Sequence, residues 1–167
     1  GEEVWSTAMT VQHHSDGSLR QRVRILATDI SSRILATAQA GVYRLKPEEV
    51  AGQPLLGKGL VAEGDAGPDD EGRLTYRVAD ALRERVVFRP INLVAPWRMP
   101  EKAVHVAFCR NVIIYFSKET QRGVFAQLAE RTPPGSLLYL GHSESLLNVS
   151  TAWMPEGRTT YRRGANA

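Results

Sequence analysis

Residues 104–116 constrain this chain more than any other stretch. Val104-His105-Val106-Ala107-Phe108 reads as a strand. It stops on three polar or reactive side chains, Cys109, Arg110 and Asn111, after which an apolar triplet leads to Tyr115 and Ser117-Lys118-Glu119 opens a helix. A strand that ends on polar groups and gives way to a helix is the repeating step of α/β folds, in which ligands bind outside the carboxyl ends of the strands. Arg110, Asn111 and Tyr115 are therefore expected to face a ligand.

The same step recurs. Residues 24–30 read as a buried strand finishing on Asp29; Ser31 or Ser32 can cap the next helix, whose apolar face is Ile34, Leu35 and Ala38, and Gly41 is its stop. Residues 86–91 form a strand ending at Asn92-Leu93. Residues 118–131 form an amphipathic helix burying Val124, Phe125 and Leu128, broken by Pro133-Pro134-Gly135 ahead of a strand over 136–140. The tail at 158–162 alternates as an edge strand would, and Val4, Trp5, Ala8, Met9 and Val11 lie at helical spacing near the front. Between 46 and 85 the rhythm breaks. Pro, Gly and acidic residues dominate, Gly64-Asp65-Ala66-Gly67-Pro68-Asp69-Asp70 reads as a loop, and strand-like runs at 59–62 and 74–78 flank it, so a small antiparallel insertion is expected.

Composition excludes several functions. The 167 residues are 43% hydrophobic and 23% charged, a globular balance that suits one domain with an insertion. No apolar run reaches the length of a membrane span, and the acidic Gly1-Glu2-Glu3 is no signal peptide. Cys109 is the lone cysteine, which rules out an intrachain disulfide and fits a reducing cytoplasm. A net charge of +3 falls far short of a nucleic-acid footprint, and the aromatics form no stacking platform. Gly57-Lys58-Gly59 lacks the P-loop pattern, and no Gly-x-Gly-x-x-Gly occurs, which argues against a nicotinamide-dependent oxidoreductase. His13 and His14 are adjacent and cannot share a helix face as metal ligands, so no metal is expected. Gly141-His142-Ser143-Glu144 is not a nucleophile elbow, which excludes a serine hydrolase.

Asp29 sits where nucleotide-binding α/β folds place the acid that accepts from both ribose hydroxyls; taken singly, an aspartate before a helix is more often a cap. Asn92 ends another strand, and its amide could read an adenine edge or cap its own turn. Three strands ending in Asp29, Asn92 and Arg110-Asn111 converge on one ligand more strongly than any of them alone.

These residues carry a family resemblance. The chain resembles the catalytic domain of the CheR-type chemotaxis methyltransferases, which transfer a methyl group from S-adenosylmethionine to receptor glutamates, leaving S-adenosylhomocysteine. The matching pieces are Gly1-Glu2-Glu3, Ala27-Thr28-Asp29-Ile30, Ala40-Gly41-Val42-Tyr43, residues 88–93, the run from Phe108 through Cys109-Arg110-Asn111-Val112-Ile113-Ile114-Tyr115-Phe116, and Gly141-His142-Ser143-Glu144.

The resemblance implies a Rossmann-like class I methyltransferase fold over 1–45 and 86–167, with 46–85 as a β-subdomain that contacts the receptor and in some members grips a receptor-tail peptide. It implies that Glu3 and Asp29 hold the methionine or ribose end of S-adenosylmethionine, that Asn92 and Leu93 line the adenine site, that Asn111 and Val112 also bind the cofactor, and that Arg110, Asn111 and Tyr115 stand near the transferred methyl and the incoming glutamate. The partner would be the cytoplasmic helical region of methyl-accepting chemotaxis receptors, with no nucleic acid and no membrane insertion. Two departures accompany it. His105 stands where the family usually has an acid. The family's N-terminal helical domain, and its first strand with the glycine-containing cofactor loop, would precede Gly1. A sheet without that strand exposes edges lined by Ile25, Leu26, Val106 and Phe108, and self-association of the chain is expected. The alternative is a non-catalytic receptor-docking or cofactor-sensing module of the same descent.

Overall fold

The structure is a computed structural model that describes residues 1–17, 22–64, 67–99 and 104–165. The chain divides into two compact units, Gly1–Ile91 and Asn92–Ala167.

In the first unit, helix α1 (Glu2–His14) carries Glu2 and Glu3 in its first turn, charges that complement the helix dipole. It buries Trp5, Ala8 and Met9, and the Trp5 indole N–H donates to the Ala38 carbonyl at 2.9 Å. Strand β1 (Ile25–Asp29) runs into helix α2 (Ser32–Ala40) through Ser31, whose hydroxyl caps the Ile34 N–H, and Gly41 closes the helix at φ 62°. Of the expected apolar face, Leu35 and Ala38 are buried, whereas Ile34 is exposed.

An antiparallel sheet follows in the order β2-β4-β3, built from β2 (Val42–Leu45), β3 (Leu60–Ala62) and β4 (Leu74–Val78). The inserted sheet thus recruits Val42–Leu45, ahead of the expected boundary at 46. Two short helices within the expected antiparallel insertion, α3 (Pro47–Ala51) and α4 (Pro54–Gly59), join β2 to β3. Each has proline in its first turn, where the missing N–H costs nothing. Asp65 and Ala66 of the expected loop lie outside the described residues. Nearby, Asp69 accepts from the Glu71 and Arg73 backbone N–H groups and from the Arg73 guanidinium, and that backbone hydrogen bond from Arg73 does most to hold its carboxyl below the usual range. After α5 (Asp80–Arg83), strand β5 (Val86–Pro90) lies parallel to β1, with Ile25 opposite Val86 and Asp29 opposite Pro90.

The second unit is a four-stranded sheet in the order β6-β7-β9-β8, from β6 (Val106–Cys109), β7 (Leu137–Leu140), β8 (Trp153–Pro155) and β9 (Thr160–Arg163). Strands β6 and β7 are parallel, joined through helix α6 (Lys118–Glu130), which Ser117 caps by accepting from the Thr120 N–H. Phe125, Ile113 and Leu138 are completely enclosed in this core. The tail strand is not an edge: β9 is hydrogen-bonded on both sides, and the previously unassigned β8 lies outside it. Its alternation marks a strand with one buried face, which interior antiparallel strands also have.

Among the described residues, β1 pairs only with β5 and β6 only with β7. Leu26, Val106 and Phe108 are 42, 49 and 49% exposed on these two strands.

Candidate active site

At the end of β1, Asp29 is half-buried and its Oδ1 accepts the Ser31 N–H at 2.8 Å, while its own carbonyl accepts from Ile91 on the β5 side. The helix cap is Ser31, so Asp29 only shapes the approach to it. Among the described residues no donor meets its Oδ2. A strand-end carboxylate with one oxygen engaged and one open suits a neutral ligand that brings hydroxyl donors, such as a ribose diol. Glu3 is exposed in the first turn of α1. On β2, burial, with a lesser push from Glu2, raises the Tyr43 hydroxyl to about 12.

The end of β6 is built differently. Asn111 adopts the left-handed conformation, φ 60°, which costs a non-glycine residue about 1 kcal/mol. Val112 returns to negative φ, and Ile113–Tyr115 makes one turn of 3-10 helix. This alternation aims successive backbone N–H groups at one point, a concavity suited to an anion. The anion is Glu144, only 5% exposed. Its Oε1 accepts the N–H groups of Val112 (2.9 Å) and Ile113 (3.1 Å), and its Oε2 those of Asn111 (2.9 Å) and Gly141 (2.6 Å). From the other side the buried Gln121 amide donates to the carbonyls of Ile113 (2.9 Å) and Phe116 (3.0 Å). Between these two grips Arg110 is exposed, and Tyr115 reaches 79% exposure. Cys109 is not a nucleophile here: burial first, and the Glu144 charge second, push its thiol up to about 12.

Asn92 caps its own turn, its Oδ1 accepting the Val94 N–H at 3.1 Å, and its amide nitrogen remains available as a donor. The Leu93 carbonyl accepts from the Trp97 indole at 3.0 Å. The segment is then tied to the far end of α6. Gln127 donates to the Ala95 carbonyl and accepts the Trp97 N–H, and Arg131 donates to the Trp97 carbonyl at 2.8 Å while lying over its ring.

Arg110, Asn111, Val112 and Tyr115 thus share one turn, and Asn92 and Leu93 belong to the same unit, while Glu3 and Asp29 belong to Gly1–Ile91. Sequence reasoning missed Glu144 and Gln121. The available signal was Asn111 itself: an asparagine two residues past a strand's end is well placed to take positive φ, and the N–H groups that this aligns need an acceptor. Among the described residues no cluster of His, Cys, Asp or Glu could hold a metal ion, and no helix is long and apolar enough to cross a membrane.

A family model described as "CheR methyltransferase, SAM binding domain" matches residues 1–161. Among curated relatives, the "Probable chemotaxis protein methyltransferase" of Rhizobium etli is 35% identical over 97% of this chain and 59% of its own length. The "Chemotaxis protein methyltransferase 2" of Pseudomonas aeruginosa is 37% identical over 96% of this chain and 55% of its own. The "Chemotaxis protein methyltransferase" of Escherichia coli is 31% identical over 96% and 54%. The chain spans little more than half the length of these relatives.

Proposed function

The chain belongs to the CheR methyltransferase family, SAM-binding domain, a class I methyltransferase fold whose cofactor is S-adenosylmethionine, and on that premise we propose that the protein methylates glutamate side chains of chemoreceptors. The observation that carries the reading is the turn at the carboxyl end of β6, which exposes Arg110, Asn111 and Tyr115 while buried Glu144 and Gln121 hold its backbone. S-adenosylmethionine supplies the electrophilic methyl group. Asp29, through its open oxygen, and Glu3 hold the ribose or methionine end; Asn92 and Leu93 line the adenine side, and Asn111 and Val112 bind the cofactor nearer the transferred methyl. Arg110 orients the glutamate carboxylate as a charge-assisted partner, and Tyr115 positions it through its hydroxyl. A glutamate is ionised at pH 7, so no general base is required, and the chain contributes orientation and exclusion of water.

Residues 1–45 and 86–167 form the cofactor-binding part, and 46–85, with the β2-β4-β3 sheet, contacts the cytoplasmic helical region of the receptor; the protein works in the cytoplasm. The 167-residue chain alone self-associates, rearranges its sheet or binds S-adenosylmethionine poorly. Half-exposed Leu26, Val106 and Phe108 on strands with an open edge support this. Light scattering with cofactor calorimetry tests it, and a stable monomer binding at micromolar affinity would refute it. The activity is tested by receptor methylation with the full-length protein carrying Arg110→Ala or Tyr115→Phe. Unchanged rates remove that residue from the mechanism. Calorimetry with S-adenosylhomocysteine and with NAD checks the cofactor, and binding of the first alone is expected.

A further inference from the structure

We propose that Glu144 is a positioning residue for methyl transfer: its buried carboxylate fixes the turn from which Arg110, Asn111 and Val112 act. The inference rests on the functional reading above.

A left-handed asparagine is a local liability that persists only where the surroundings over-determine it. On the donor side of the turn, the surroundings are one side chain. Four N–H groups converge on two carboxylate oxygens, three of them from consecutive residues, Asn111, Val112 and Ile113, and one from Gly141. An unpaired buried N–H is costly, so without the carboxylate the three amides would turn to find water, and the side chains they carry would turn with them. No other acceptor stands in: among the described residues these four amides are satisfied by Glu144 alone. The fit leaves no slack. A Cβ on Gly141 would sit 2.7 Å from Glu144 Oε2 and 3.1 Å from the Asn111 nitrogen. A side chain at 141 would push the carboxylate off the amides, which ties the glycine and the glutamate of Gly141-His142-Ser143-Glu144 together. Gln121 holds the carbonyl side of the same turn, so the turn is gripped through both its donors and its acceptors. Displacing reacting groups by about 1 Å costs on the order of a hundredfold in rate.

The test uses the full-length protein and two variants. Glu144→Gln replaces one acceptor oxygen with an amide NH₂ that opposes two of the N–H groups. Gly141→Ala leaves Glu144 in place but pushes its carboxylate off the amides. For variants that retain a cooperative melt, kcat/KM for receptor methylation is expected to fall about a hundredfold. The KM for S-adenosylmethionine and the Kd for S-adenosylhomocysteine should both rise about tenfold, and Glu144→Asp should recover part of the loss. A mere drop in folded fraction lowers apparent kcat and leaves KM and Kd where they were. A folded variant with unchanged KM and Kd overturns the proposal, as does loss of folding in both variants, which would make Glu144 a stability residue only. The parent protein run alongside separates the two readings. A parent that neither binds S-adenosylmethionine nor methylates receptor sinks the functional reading and this inference with it; an active parent with unaffected variants sinks this inference alone.

Discussion

At the end of β1, every side-chain bond that shapes the turn is short in sequence: Asp29 to the Ser31 N–H, and Ser31 to the Ile34 N–H. At the end of β6 the corresponding bonds run from Asn111, Val112 and Ile113 to Glu144, more than thirty residues away, and from Gln121 across to Ile113 and Phe116. The first turn is specified locally and leaves one carboxylate oxygen open at its surface. The second is specified by tertiary packing, and its carboxylate is entirely consumed in holding the backbone. A turn of the first kind can lose its ligand contact without losing its shape; in one of the second kind, shape and function fall together.

The largest contrast should be chemical. Cys109 lies at the β6 end, with its thiol raised from 9.0 to about 12 by burial and Glu144. At pH 8 its alkylation by iodoacetamide in the native full-length protein should run on the order of a thousandfold slower than in urea, following the thiolate fraction. Because the folded thiol holds its proton more tightly than the unfolded one, this contribution to stability is complete below about pH 9 and is lost as pH rises towards about 12. Cys109→Ala should flatten that alkaline decline in urea titrations. Native labelling as fast as in urea would mean that the β6 turn is open.

Gln121→Leu comes next. It strands the Phe116 carbonyl and takes from the Ile113 carbonyl one of its two donors, the other being the Phe116 N–H, and should cost about 2 kcal/mol in chemical denaturation. A cost under about 1 kcal/mol would show that water replaces Gln121 and that the turn is held from one side only.

At β1 the effects should separate. Asp29→Ala should weaken S-adenosylhomocysteine binding by about 1.5–3 kcal/mol in calorimetry while lowering stability by less than about 1 kcal/mol. Unchanged affinity would reduce Asp29 to a turn former. Ser31→Ala should do the reverse, costing about 1 kcal/mol of stability with affinity intact. The smallest effect is expected for Asn111→Gly, within about 0.5 kcal/mol of the parent in stability because glycine accepts φ 60° freely, whereas Asn111→Ala should cost about 1 kcal/mol.

The same division explains what could be read from the sequence. The β1 turn, with its strand, its Ser31 cap and its Gly41 stop, was legible because period, cap and stop lie within one window of the chain. So were β7 and α6, down to Val124, Phe125 and Leu128. The site residues of the β6 turn were visible through their resemblance to a family, but the residues that hold them were not. Glu144 lies in a polar loop, and nothing near it in sequence says that it is buried. Helices α3 and α4 escaped because Pro47, Pro54 and the flanking glycines count as breakers unless their position in a first turn is taken into account. Strand β8 escaped because three residues ending in proline carry no period, and without it β9 looked like the last strand of its sheet.

Helix α6 carries a consequence for the energetics of binding. Gln121 near its start grips the Ile113–Phe116 turn, and Gln127 and Arg131 towards its end grip Ala95 and Trp97, just beyond Asn92 and Leu93. Six residues of helix set these anchors about 9 Å apart on one rigid rod. Two loops that would otherwise each have to be ordered when a ligand arrives are therefore ordered by the same element during folding. The conformational entropy of both is spent before any cofactor binds, so more of the gross contact energy on these loops can appear as affinity.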